Sequence, residues 1–177
     1  MRVSYPKLIA AVGLGAYFIQ AAATPETYRF LDSVDLIFHE AGHWIFALGP
    51  QWLDVAGGSI MQCLVPLICV LTSLYQGRRF TAALIGFWLA QNILNVSVYA
   101  ADALKMQLPL LGGDSTTHDW NWLLWHFGQL RHTAAIAGAI RAAGWLVLIV
   151  SLLAALYLSF SFESDGTPET APPNKDA

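Results

Sequence analysis

Two histidines and a glutamate stand together in the run His39-Glu40-Ala41-Gly42-His43. Histidines four residues apart on an α-helix lie about 40° apart in azimuth and one turn apart in height, so both imidazoles can reach one metal ion. Glu40 flanks the first of them, where a carboxylate can contact water at the metal without being a ligand. That is the division of labour in H-E-x-x-H zinc hydrolysis: two imidazole ligands, a glutamate base and an activated water. Gly42, without a side chain, leaves room for a substrate or a neighbouring helix to come close.

A hydrolytic zinc wants a third protein ligand and an open position. Three later residues qualify. His118 is the first choice by ligand type. Asp119, its neighbour, could ligate, or orient a ligating imidazole, or cap a helix beginning at Trp120. Asp102, at the end of an apolar helix, is the third. His126 and His132 read as interfacial.

The elements that must position these groups are apolar helices. Residues 33–48 carry the motif, capped by Asp32 or Ser33 and ended near Pro50, with Asp35 in the first turn as a cap or as a partner for a histidine. Residues 51–58, with Gly57-Gly58, read as a break, and residues 59–75 as a helix bent at Pro66. A helix over 80–101 follows the polar turn 76–79. Its Gln91, Asn92, Asn95, Tyr99 and Asp102 fall within about 100° of arc. Such a stripe must face protein or water, never lipid. Asn92, Asn95 and Tyr99 are expected to line the metal cavity, helix–helix hydrogen bonding being the other use of such residues.

Residues 102–131 are not a clean span. Trp120, Trp122 and Trp125 suit a membrane-interface segment. A last helix is expected over 142–162, with Arg141 at its start. The N-terminal apolar run, 8–20, fits a retained transmembrane helix or a signal peptide ending at Ala21-Ala22-Ala23. Tyr17 and Gln20 favour the retained helix.

Composition agrees with a bilayer as solvent. Hydrophobic residues make up 56% and charged residues 12% of the 177 residues, against about 25% charged in soluble domains. Mean hydropathy is +0.50. The net charge of −3 and scattered Lys and Arg give no nucleic-acid signal. Cys63 and Cys69 project about 120° apart on one helix and read as small core residues. The expected fold is all-α: a polytopic transmembrane bundle of about 4–5 helices with an interfacial Trp-rich segment. One membrane-embedded domain spans 1–162, and a disordered polar tail spans 163–177. The lysine and arginine distribution favours a cytoplasmic N-terminus, with Arg2, Lys7, Lys105 and Arg131 inside and Arg29, Arg78 and Arg79 opposite.

Phe38-His39-Glu40-Ala41-Gly42-His43-Trp44 resembles the signature of site-2 proteases, intramembrane zinc metallopeptidases with H-E-x-x-H in a transmembrane helix. The likeness covers roughly residues 33–100, and Gly57-Gly58-Ser59 stands where that family has a glycine-bearing segment. It implies zinc as cofactor, Glu40 as general base, and a membrane-protein or peptide substrate cleaved within or beside the lipid bilayer. It also implies a multi-pass protein of the cell (inner) membrane. The family's third ligand is an aspartate in a later Asp-Gly motif; here Asp165-Gly166 lies in the polar tail, which implies a distant branch. Two other readings of the motif are a ZIP-like divalent-metal transporter and an inactive membrane scaffold.

Overall fold

The computed structural model describes residues 2–108 and 118–161. The tail expected from residue 163 onward lies outside them. The described residues form six α-helices: α1 (Tyr5–Ala23), α2 (Phe30–Phe46), α3 (Gln51–Tyr75), α4 (Arg79–Ala101), α5 (Asp119–His126) and α6 (Thr133–Tyr157). A 3-10 turn over Asp102–Leu104 extends α4, and another over Leu130–His132 leads into α6. Short strands β1 (Arg2–Val3) and β2 (Phe160–Ser161) pair antiparallel.

Among the described residues, four helices are long and apolar enough to cross a membrane: Tyr5–Ala23, Gln51–Tyr75, Arg79–Leu104 and Leu130–Tyr157. The segment around α4 is 61% buried, against 22–28% for the other three. It is therefore the centre of the bundle, and the others turn apolar faces such as Ile9, Leu71 and Leu153 outward. Small residues bring the helices together. Gly86 of α4 meets Ser151 of α6, and Gly144 of α6 meets Leu94 of α4, so the two run antiparallel. Phe18 of α1 stacks on Phe87 of α4 at 5.6 Å. With Ala11, Ala22, Ala90 and Leu148 these rings form the core, so α1 is an integral part of the packed bundle.

The start of α1 and the end of α6 meet. Ser4 N–H donates to the Ser159 carbonyl at 2.9 Å, and Lys7 lies over the Phe80 ring at 5.5 Å. The α3–α4 turn is therefore at the same end as the start of α1. Arg78 and Arg79 share a side with Arg2 and Lys7, whereas the sequence reading set them on opposite sides. The difference comes from α2. At 17 residues it is not among the four long apolar helices.

The starts of α3 and α6 also differ from expectation. The break expected over 51–58 is helical: Pro50 is the N-cap of α3, and Gly57 and Gly58 lie inside it. Proline's fixed φ suits that entry, and the glycines serve close packing rather than a turn. α6 begins at Thr133, not 142, because its Ala-rich first turns propagate helix. Arg141 therefore sits inside α6, with Nη2 3.5 Å from Glu26 Oε1.

Candidate metal centre

The motif helix is held by a glycine contact. A Cβ on Gly42 would collide with the Gly57 carbonyl, and one on Gly57 would lie 2.7 Å from the Gly42 carbonyl. The α2 and α3 backbones thus touch, antiparallel, which sets His39 beside Gly58 and Gln62, and His43 beside Asp54. A Cβ on Gly58 would strike the His39 imidazole.

The third donor group arrives from α5. Asp119 Oδ2 lies 3.1 Å from His39 Nε2 and 3.3 Å from His43 Nε2. His39, His43 and Asp119 form a group whose donor atoms all lie within 4.8 Å of one another, close enough to hold a metal ion. Asp119 and His39 are buried and His43 is partly so. The Asp119 N–H donates to the Tyr99 hydroxyl at 3.2 Å, which ties the start of α5 to α4.

His118, the first choice from sequence, is turned the other way. Its Nδ1 accepts from the Asn121 N–H at 3.2 Å, capping α5. Its Nε2 donates to Asp102 Oδ2 at 3.3 Å. Both ring nitrogens are engaged, and Asp102 also accepts from the backbone N–H groups of Gln107 and Leu108. The His118–Asp102 pair closes the α4–α5 connection instead of meeting the histidine pair.

The hydrogen bonds around the imidazoles fix where their lone pairs point. Asp32 Oδ1 can only accept, so Asn95 turns its Nδ2 toward it, at 3.4 Å. That leaves Asn95 Oδ1 to accept from Gln62 Nε2 at 2.8 Å. Gln62 Oε1 in turn faces His39 Nδ1 at 3.1 Å, which must donate. His43 Nδ1 likewise donates to the Asp54 carbonyl at 2.9 Å. Both Nε2 lone pairs therefore converge on one carboxylate oxygen, an arrangement that calls for a cation between them. Protons can supply it: the Asp119 carboxylate raises His43 to about 9. Burial pushes Asp119 up, but the hydrogen bonds from both imidazoles outweigh it and hold the acid below its usual range. A divalent ion would satisfy all three donors at once. Two imidazoles and one carboxylate, with carbonyl acceptors on the outer nitrogens, are a donor set suited to zinc.

The group opens into a cavity of about 550 Å³, lined among others by Glu40, Asp54, Asn95, Tyr99 and Trp122. Glu40 is half-buried in its wall and has no hydrogen bond or ion pair among the described residues. Asn95 and Tyr99 line it, but Asn92 does not. Asn92 is fully buried and donates to Asp35 Oδ1 at 3.1 Å. Asp35, itself 1% exposed, also accepts from Trp88 Nε1 at 2.7 Å. It neither caps α2 nor touches a histidine; the reciprocal cap belongs to Arg29 and Asp32. The polar stripe of α4 thus divides: Gln91 and Asn92 bind α2, while Asn95 and Tyr99 serve the site. Sequence reasoning missed Gln62, whose signal is an isolated amide within an apolar helix.

No family model, curated protein or solved structure matches this chain.

Proposed function

We propose that the protein is a multi-pass zinc metallopeptidase of the cell membrane, hydrolysing membrane-associated polypeptides. The observation that carries this reading is the convergence of His39, His43 and Asp119 on one point beside the unengaged Glu40. His39, His43 and Asp119 would hold the zinc, which would supply Lewis acidity to a scissile carbonyl and to water at the site. Glu40 takes the proton of the attacking water and returns it to the leaving amine. Gln62 and the Asp54 carbonyl keep each imidazole in the tautomer that directs Nε2 inward. Tyr99 holds the α5 backbone that carries Asp119. A helical peptide bond is shielded and already hydrogen-bonded, so the substrate unwinds locally to enter.

Glu40→Gln tests the reading. The variant keeps its zinc and loses peptide hydrolysis by at least about 100-fold, the scale of general-base catalysis. Wild-type activity in that variant contradicts the assignment.

A further inference from the structure

Carboxylates outnumber bases on the cavity wall, where His39 and His43 are the only basic side chains among the described residues. Glu26, Asp32, Glu40, Asp54 and Asp119 line it, with no lysine or arginine among the described lining residues. These carboxylates have different surroundings. Asp119 faces the imidazoles, Asp32 is tied to Gln91 and to the Arg29 N–H, and Glu40 is the proposed base. Glu26 is paired with Arg141 at 3.5 Å. Asp54 has no such task. The Asp54 side chain is 40% exposed, and its nearest ionic contact is His43 Nδ1 at 4.0 Å. That nitrogen already gives its hydrogen to the Asp54 carbonyl. A divalent ion between neutral imidazoles leaves the wall net negative. A cleft of one charge sign with low-dielectric walls focuses its field and concentrates ligands of opposite sign.

We propose that the cavity selects a positively charged polypeptide segment, Asp54 receiving a lysine or arginine near the scissile bond. This rests on the peptidase reading above.

The test uses the full-length, zinc-loaded protein in proteoliposomes. Two quenched peptides are compared, alike except that Lys and Arg flank the cleavable segment in one and Glu flanks it in the other. The wild type prefers the basic peptide by about tenfold or more in kcat/KM, Asp54→Asn lowers that ratio, and Asp54→Lys inverts it. The preference shrinks at high ionic strength. The backbone carbonyl at position 54 survives both substitutions, so unchanged zinc content certifies each variant. A wild-type ratio of one, or a ratio that Asp54→Lys leaves unmoved, overturns the proposal.

A binding measurement separates the two claims. Zinc-loaded Glu40→Gln protein is titrated with both peptides carrying a fluorescent label. Tighter binding of the basic peptide, with no cleavage by the wild type, supports charge selection and contradicts the peptidase. Equal cleavage and equal binding of both peptides overturn charge selection and leave the peptidase standing.

Discussion

Asp119 and His39 are 80 residues apart in the chain, yet Asp119 Oδ2 lies 3.1 Å from His39 Nε2. The contact depends on two supports. One is the backbone approach of α2 to α3 at Gly42 and Gly57. The other is the bond from the Asp119 N–H to Tyr99, which seats α5 on α4. The donor group is thus assembled by four helices, and each support can be tested separately.

Gln62 sets the His39 tautomer by accepting from Nδ1. In Gln62→Leu that N–H loses its acceptor and the ring is free to turn. Zinc affinity should fall roughly 10–100-fold, the usual effect of losing the partner of a ligating histidine. Competition with a chelator of known affinity measures it. Unchanged affinity would contradict the hydrogen-bond relay from Asp32 through Asn95 and Gln62.

Gly58 leaves the space that the His39 ring occupies. Gly58→Ala should displace the imidazole, weaken zinc binding and destabilise the protein by about 1–3 kcal/mol, as overpacking does. Gly138→Ala is the control, because a Cβ there meets nothing within 4 Å. Thermal unfolding in detergent with and without zinc distinguishes the two. Equal behaviour of both variants would contradict the packing argument.

Asp35 holds Trp88 and Asn92 from α4 and makes no contact with the histidines. Asp35→Ala strands buried donors, each costing about 1–3 kcal/mol. The variant should melt earlier yet keep stoichiometric zinc when folded. Loss of zinc from a stably folded Asp35→Ala protein would show that Asp35 belongs to the metal centre.

Much of this was legible from residue order. The apolar runs gave the all-α membrane class, and the spacing of His39 and His43 gave two donors on one helix face. The polar stripe of α4 pointed to a site partner, but not to its division between Asp35 and the cavity. That division depends on how far α2 slides along α3, which the Gly42–Gly57 contact decides. The choice between His118 and Asp119 was likewise beyond sequence. Adjacent residues at a helix start point in different directions, and the one that caps is decided by backbone dihedrals. His118 caps α5 and pairs with Asp102, which sends Asp119 to the histidines. Gly57-Gly58 misled as a turn signal because glycine serves turns and close helix contacts alike.

The metal content of purified protein tests the central claim most directly. Wild type, Asp119→Ala and His118→Ala are purified in mild detergent, exposed to zinc, freed of excess and assayed for zinc per chain. The geometry predicts one zinc in the wild type, its loss in Asp119→Ala and its retention in His118→Ala. A wild type without zinc, or zinc retained in Asp119→Ala and lost in His118→Ala, would contradict it.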